Sequence, residues 1–295
     1  MYLRRFSSCA DDRIPQVEVF RKLKGWFTPS IDNIGLISND NSVNVSGVDP
    51  TIVEKLFGEI ESICAPILKN KIDKRIAINE DDKFGLALFI ATLRMRNPFT
   101  RNTIETGLNK LGQSIYGVIA KKIQEDPNYL KQLIQAYQND TGKDMSDIKS
   151  EDFKFPVQIQ VQKEIVIGTS LSPLFEIASL LAKMNWHLFE APEGMRFIAS
   201  DFPYHEFNPK AISQVDGCGL VNPDIEIVVP LSSSQCLFIS HVKRRLLYLP
   251  ATNSLCLEFN KRIIQNAQDN LITFSCEFSE QEMQIKKMIE ERWKM

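Results

Sequence analysis

The stretch Arg196-Phe-Ile-Ala-Ser-Asp-Phe-Pro-Tyr204 shapes our expectation of how the second half of the chain folds. Its apolar residues predict a strand that ends at the polar pair Ser200-Asp201, and Pro203 stops the strand because proline has no backbone N–H to donate to a sheet. Another strand-like run, residues 186–190, comes before it, and a turn signal at residues 191–194 separates the two. Together these features predict a β-hairpin that places the Asp201 carboxylate at a sheet edge.

Further strand-like runs at residues 224–231 and 235–240 complete the predicted sheet. The first half of the chain is mainly helical in pattern. We therefore predict the α+β class, with an N-terminal helical lobe packed on a C-terminal mixed or antiparallel sheet flanked by helices. The predicted lobes are residues 1–150 and 151–295, folding as one cooperative unit.

Helices are predicted where apolar residues recur at helical spacing after a cap signal. Asp49 with Pro50 and Asn79 before three acidic residues are two such starts. A capping box at residues 279–282 is a third. Residues 153–167 instead alternate apolar and polar side chains, which predicts a strand. The predicted helices begin near residues 49, 79, 102, 126, 172, 254 and 279.

Composition restricts the class of protein. The 295 residues carry a net charge of −2, so a nucleic-acid contact would need a local basic patch. The apolar run at residues 84–93 is shorter than the roughly 20 residues of a membrane span, and no secretory signal follows Met1. Six cysteines without C-x-x-C spacing are typical of reduced thiols. We expect a cytoplasmic protein without membrane contact.

Motifs of well-defined catalytic classes are missing from the sequence, including G-x-S-x-G, the P-loop and H-E-x-x-H. The basic run Lys243-Arg-Arg245 is typical of a solvated surface, with phosphate binding as the alternative.

Several separated motifs follow one another along the chain. They are Tyr2-Leu-Arg-Arg-Phe6, Ala65-Pro66 in the helix that contains Glu61, Arg96-Asn-Pro98, Trp186, Phe197-Ile-Ala-Ser-Asp201 with Pro203, Pro230-Leu231, and Asn260 with Ala267. In these motifs the chain resembles the domain-of-unknown-function family 4238 of bacterial and fungal proteins. That family opens with His-x-x-Pro-Gln-x-Tyr-Leu-Arg-x-Phe, whereas this sequence begins inside the segment, at Met1-Tyr2, and lacks its His and Pro-Gln. The resemblance implies a shared architecture and candidate positions, and it assigns no reaction.

Four residues at or beside these positions predict a site where the two lobes meet. The carboxylates of Glu61 and Asp201 could bind Mg²⁺ or Mn²⁺, and Arg96 could pair with phosphate oxygens. Asn260 adds an amide. This is the chemistry of metal-assisted phosphodiester or nucleotide hydrolysis. We expect an intracellular hydrolase or nuclease-like effector, of the defence or toxin type, that acts on a nucleic acid or nucleotide.

His205, just after the Asp201 turn, is a fifth candidate catalytic residue. It could replace the histidine of the family's opening segment as a ligand or base, provided that its ring lies within hydrogen-bond reach of Asp201.

Structural roles for the same residues are the alternative. Glu61 and Arg96 could neutralise each other, Asp201 could bond its own backbone in a turn, and Asn260 could cap or brace. The alternative function is a non-catalytic ligand-sensing or protein-binding module. Clustering of Glu61, Arg96, Asp201 and Asn260 within about 10 Å in an accessible pocket would favour the hydrolase. A Glu61–Arg96 pair shielded from water and far from Asp201 would exclude the hydrolase.

Overall fold

The computed structural model describes residues 2–7, 15–34, 41–154, 157–211, 219–243, 247–274 and 277–293. Contacts group the chain into two compact units, one formed by Met1–Asn97 with Leu171–Met295 and the other by Pro98–Ser170. The α+β class is confirmed, since the chain combines helices with one antiparallel and one mixed sheet. The division at residue 150 stays a prediction.

The helices follow from local cap chemistry and apolar spacing. Those of the first unit are α1 (Ile52–Ile67), α2 (Glu80–Met95), α6 (Leu174–Lys183), α7 (Asn253–Asn266) and α8 (Met283–Glu291), and those of the second unit are α3 (Pro98–Glu125), α4 (Pro127–Thr141) and α5 (Lys163–Leu171), whose final residue crosses into the first.

Two predicted helix starts show how closely cap chemistry specifies a boundary. The side chain of Asn79 accepts a hydrogen bond from the backbone of Asp82, and Asp82 returns one, so α2 begins at the predicted residue. Helix α1 begins two residues later than predicted, after Thr51, because Asp49 Oδ1 accepts the Thr51 N–H at 2.8 Å in a turn before the helix.

Helix α2 forms the centre of the first unit. Residues 85–92 are buried on nearly every side, as their apolar composition predicts, and α6 packs against them. The core continues from these helices onto the strands around Ile227, Leu237 and Ile239.

The strands form two sheets. In chain order they are β1 (Glu18–Arg21), β2 (Gly25–Phe27), β3 (Asn185–Glu190), β4 (Ala199–Ser200), β5 (His205–Phe207), β6 (Glu226–Pro230), β7 (Gln235–Ser240), β8 (Tyr248–Pro250) and β9 (Asn270–Thr273). The four-stranded sheet has the order β2-β1-β9-β4 and is antiparallel. The five-stranded sheet has the order β5-β6-β7-β3-β8, in which β3 and β8 are parallel and the other pairs antiparallel. The strands predicted at 224–231 and 235–240 are thus confirmed as β6 and β7.

The predicted hairpin between residues 186–190 and 196–200 is wrong. Strand β3 pairs with β7 and β8, whereas β4 pairs with β9 in the other sheet. Between them the chain turns at Gly194, with φ at +77°, and Phe197 and Ile198 are both buried. Successive side chains of an extended stretch point to opposite faces, so burial of both Phe197 and Ile198 requires protein on both faces of this stretch. The stretch leads from β3 in one sheet to β4 in the other.

The strand predicted over residues 153–167 is also wrong. Residues 150–154 form a 3₁₀ turn, and α5 begins at Lys163. In between, the backbone N–H of Val161 donates to Asn109 Oδ1 at 2.7 Å and that of Ile159 to Gln113 Oε1 at 3.4 Å. The alternating segment therefore takes its hydrogen bonds from side chains of α3 instead of a neighbouring strand.

Among the described residues, the segment Lys163–Lys183 has the length and composition of a membrane span. Its most apolar 18 residues have a mean hydropathy of 1.7, and 39% of them are buried. It is longer than the 84–93 run on which the expectation was based. Buried core helices can have the same length and hydropathy. Helix α6, which forms the second half of this segment, buries Leu174, Ala178 and Leu181. The absence of membrane contact and the cytoplasmic location stay predictions.

Cys64, Cys236 and Cys256 are buried free thiols. Burial raises the pKa of Cys64 and of Cys256 to about 12, so both are held protonated and unreactive. Cys9, Cys218 and Cys276 lie outside the described residues, as do residues 244–246, which include most of the basic run at 243–245.

Candidate functional site

Asp201 follows β4 and braces the chain between α7 and β9. Its Oδ1 accepts the backbone N–H of Gln268 at 3.0 Å. Its Oδ2 accepts those of Asp269 at 2.7 Å and Asn270 at 3.0 Å. The carboxylate thus bonds a distant backbone segment, and not its own turn, and both oxygens are engaged.

Asn260 lies on the buried side of α7 and is 1% exposed. Its Oδ1 accepts the N–H of Ile198 at 3.1 Å, and its Nδ2 donates to the carbonyl of Arg196 at 2.8 Å. One side chain therefore provides a donor and an acceptor to the stretch that crosses between the sheets, as a neighbouring strand would. This geometry corresponds to the bracing alternative.

Glu61 on α1 and Arg96 at the end of α2 form an ion pair, with 3.4 Å between Oε1 and Nη1. The Arg96 guanidinium also lies over the Phe57 ring, 4.8 Å from its centroid. The Arg96 and Glu61 side chains are 38% and 33% exposed, so the pair is open to water. The ion pair agrees with the alternative in which Glu61 and Arg96 neutralise each other. It is not the dry, buried pair that would have argued against an enzyme.

Gln268 connects the end of α2 with Asp201. Its Nε2 donates to Asn97 Oδ1 at 3.0 Å, while its backbone N–H bonds Asp201. Asn97, which follows Arg96, and the predicted site residue Asp201 thus both contact Gln268.

The residues that the structure describes contain no group of three or more His, Cys, Asp or Glu side chains that could hold a metal ion. The assignment of Mg²⁺ or Mn²⁺ to Glu61 and Asp201 therefore stays a prediction.

His205 opens β5, and its ring faces the Asn266 amide, the Arg262 guanidinium and Glu258. Burial, reinforced by the Arg262 charge, lowers the pKa of His205 to about 4, so the ring is neutral at pH 7. Within the described part of the chain, no hydrogen bond joins it to Asp201.

A pocket of about 480 Å³, which sequence reasoning missed, lies elsewhere in the first unit. We call it the Arg75 pocket. It is lined by Asp73, Lys74, Arg75, Glu190, Ala191, Ser234 and Gln235.

One wall of the Arg75 pocket is a tight turn that follows a π-helical segment, Leu68–Ile72. The backbone N–H of Ile76 donates to the carbonyl of Lys71 at 2.8 Å, which closes the turn. Arg75 has a φ of +55°, in the left-handed region that non-glycine residues rarely enter. Both π-helical segments and strained residues of this kind are frequent at functional sites.

Ion pairs frame the Arg75 pocket. Arg5 donates two hydrogen bonds to the Asp73 carboxylate, at 3.0 and 2.6 Å, and Arg75 pairs with Glu190. Lys74 makes no ion pair among the described residues. The four charged lining residues balance, with two cations and two anions, but Arg5 from outside the lining neutralises Asp73, so the Lys74 ammonium has no counter-ion among the described residues.

Gln235 lines the Arg75 pocket and has an unsatisfied acceptor buried beside it. The residue is 6% exposed, and its Nε2 donates to the carbonyl of Ile72 at 3.2 Å. Its Oε1 is buried and has no hydrogen-bond partner among the described residues. Because an unsatisfied buried polar atom costs about 1–3 kcal/mol, such an atom calls for an explanation, and a ligand is one.

Two motifs that carry the family resemblance are joined by hydrogen bonds, and Arg5 of the first motif also bonds the pocket residue Asp73. The Tyr2 hydroxyl donates to the carbonyl of Pro230 at 2.6 Å, and Arg5 Nε donates to that of Leu231 at 2.6 Å. Pro66 lies in the last turn of α1, just before the π-helical segment. Sequence reasoning missed the pocket because residues 69–75 have the charged composition of a solvated loop, and the strain at Arg75 has no signature in the residue type.

The protein is therefore an α+β protein with two sheets and a small pocket lined by charged residues. The chain belongs to the family described as "Protein of unknown function (DUF4238)", whose model matches residues 1–276. The family resemblance predicted from the sequence is thereby confirmed. No curated protein and no solved structure matches the chain.

Proposed function

We propose that this protein is a non-catalytic ligand-sensing protein that binds a small phosphate-bearing molecule in the Arg75 pocket. The observation that carries the proposal is the pocket itself, which is lined by the cations Lys74 and Arg75 and by Gln235, a residue whose buried amide oxygen has no partner among the described residues. Its volume of about 480 Å³ falls within the roughly 300–1,000 Å³ of small-molecule sites.

Electrostatics favour an anion. Asp73 is neutralised by Arg5 and Glu190 by Arg75, which leaves the Lys74 ammonium to attract a negative group. The Arg75 guanidinium, 65% exposed in its ion pair, can exchange Glu190 for a phosphate at small cost, because exposed ion pairs contribute only about 0–1 kcal/mol. Arginine also suits phosphate through paired N–H donors.

The proposal is tested by isothermal titration of the purified chain with inorganic phosphate, ribose 5-phosphate and nucleoside monophosphates, with adenosine as a phosphate-free probe. We expect a phosphate-bearing probe to bind and adenosine to bind at least tenfold more weakly. Lys74→Met removes the charge but keeps most of the stem, and it should weaken phosphate binding about tenfold, equivalent to about 1.4 kcal/mol. Lys261→Met, at an exposed lysine on α7, is the matched control and should change nothing.

Arg75→Gly is the second variant. Glycine adopts a positive φ without strain, so the turn should be retained while the guanidinium is lost. We expect weaker phosphate binding with an unchanged or higher free energy of unfolding. Absence of binding by every phosphate-bearing probe, or equal affinities in Lys74→Met and Lys261→Met, would contradict the proposal.

A metal-assisted hydrolase acting on a nucleic acid or nucleotide is the second candidate function. It is favoured by the link through Gln268, which brings the end of α2 and Asp201 to one residue, and by the exposure of the Glu61–Arg96 pair. Release of phosphate or cleavage of RNA and DNA is measured with Mg²⁺ and Mn²⁺, in the native chain and in Glu61→Gln. Metal-dependent turnover that Glu61→Gln abolishes would replace the sensing proposal, whereas turnover that is absent or unchanged in the variant counts against hydrolysis at Glu61.

A further inference from the structure

We infer that Gln235 determines specificity in the Arg75 pocket by accepting a hydrogen bond from an exocyclic amine, so that the ligand is a nucleotide with an aminated base. The inference rests on the proposed function. It begins from the buried Oε1 of Gln235, which has no partner among the described residues, although the Nε2 of the same amide is bonded to Ile72.

The orientation of the amide is determined by its surroundings. The Ile72 carbonyl accepts a hydrogen bond, so the NH₂ group of Gln235 must face it and the oxygen must face away. An oxygen held in this way can only accept, and no donor reaches it from the described residues. A ligand with an N–H group would supply one, whereas a ligand with an oxygen at the same place would be repelled.

The position of Gln235 links this acceptor to the phosphate-binding cations. Gln235 bonds the carbonyl of Ile72, and Ile72 directly precedes the turn that carries Lys74 and Arg75. A molecule with phosphate at one end and a hydrogen-bond donor at the other can therefore contact both. Nucleoside monophosphates with an amino group on the base have this arrangement in a size suited to a pocket of about 480 Å³.

The amide oxygen is covered in the present conformation. Lys74 and the exposed Arg75 side chain are the lining cations that a phosphate can engage. A base can reach the amide oxygen only if the side chains that cover it move when the ligand binds. Phosphate alone makes no contact with the amide and should bind weakly.

The test compares nucleotide pairs that differ only in the exocyclic amine: AMP with purine riboside 5′-monophosphate, GMP with IMP, and CMP with pyrimidinone riboside 5′-monophosphate. Affinities are measured by titration against the native chain. A preference of about tenfold or more for the amine in at least one pair is expected, since a site built to hydrogen-bond a donor rejects an analogue that lacks it.

Gln235→Met removes the acceptor at similar volume and should bring the two members of that pair to equal affinity, while ribose 5-phosphate binds as it does to the native chain. The native-chain comparison decides the question even if this variant does not fold. Equal affinities in all three pairs, with ribose 5-phosphate binding as tightly, would overturn the role of Gln235 and leave the sensing proposal intact. Absence of binding by every phosphate compound would overturn both.

Discussion

The amide oxygen of Asn260 accepts a hydrogen bond from the backbone N–H of Ile198, 62 positions away in the chain, at 3.1 Å. With the reciprocal bond from Nδ2 to the Arg196 carbonyl, helix α7 holds the stretch that crosses between the two sheets. The side chain of Asn260 therefore makes the donor and acceptor contacts that a neighbouring strand would make, and its catalytic role stays a prediction.

Replacing Asn260 with alanine should lower the free energy of unfolding by about 2–3 kcal/mol, because the buried N–H of Ile198 loses its acceptor and the partly buried carbonyl of Arg196 keeps only the weak donor of the Cys256 thiol. Urea unfolding followed by circular dichroism measures the change. Gln265→Ala, at an exposed position on the same helix, should stay within about 0.5 kcal/mol of the native chain. Equal stabilities of the two variants would show that Asn260 is not a brace.

Asp201→Ala should lower the free energy of unfolding by about 2 kcal/mol, since three backbone N–H groups lose their acceptor. Asp201→Asn should cost less, because one oxygen remains. Phosphate binding in the Arg75 pocket should be unchanged in both variants. Unaltered stability in the alanine variant, determined by urea titration, would show that Asp201 is not a brace.

Two glycines should respond to alanine in opposite directions. Gly194 has a φ of +77°, and an added Cβ would lie 2.9 Å from Gln281 Oε1, so Gly194→Ala should lose about 1–2 kcal/mol of stability. Gly58 lies on α1 with nothing within 4 Å of a Cβ, so Gly58→Ala should gain about 0.5–1 kcal/mol. Thermal unfolding of both variants provides the comparison, and a gain at Gly194 would contradict the backbone argument.

Acid should destabilise the protein through His205. Burial and Arg262 lower the pKa of His205 from 6.5 to about 4. Between these values the unfolded chain binds a proton that the native chain excludes, so the stability contribution falls as the pH falls. Lowering the pH from 7 to 4.5 should cost the native chain about 2 kcal/mol more than it costs His205→Gln. The difference is measured by urea unfolding at both pH values, and parallel losses would rule out His205 as its source.

The Glu61–Arg96 ion pair should contribute little to stability. Both side chains are about a third exposed, so Glu61→Gln should cost less than about 1 kcal/mol. This makes the variant suitable for the hydrolase assay, because a loss of turnover could not be attributed to unfolding. A loss of several kcal/mol in chemical denaturation would show that the pair is more buried in solution than its exposure indicates.

Local chemistry explains which elements could be predicted. The caps at Asn79 and Asp126, the left-handed Gly142 after α4, and the capping box that begins at Ser279 each depend on residues within four positions of one another. Residues 235–240 were predicted correctly as a strand because four consecutive apolar residues, 236–239, lie at their centre. In these cases the interacting groups and the signal lie in the same short stretch.

The contacts of the candidate site join residues that are far apart in the chain, and local sequence patterns do not predict most of them. Glu61 and Arg96 were expected as possible partners, because an unpaired charge in a core is costly and pairing is the usual remedy, and the structure pairs them. The three backbone donors of Asp201 lie 67 to 69 positions further along the chain, so no local pattern indicates them. The Arg75 pocket joins residues 73–75, 190–191 and 234–235, and its strained turn is invisible in composition.

The sequence alone determined the α+β class, most helix starts and the family, because these depend on short-range periodicity, cap chemistry and ordered motifs. The tertiary structure decided that β3 and β4 belong to different sheets and that the buried amide oxygen of Gln235 receives no donor from the part of the chain that the structure describes. The physical reason is that every strand presents the same backbone donors and acceptors. Packing between distant segments selects which of them pair and which polar atoms are left facing a pocket.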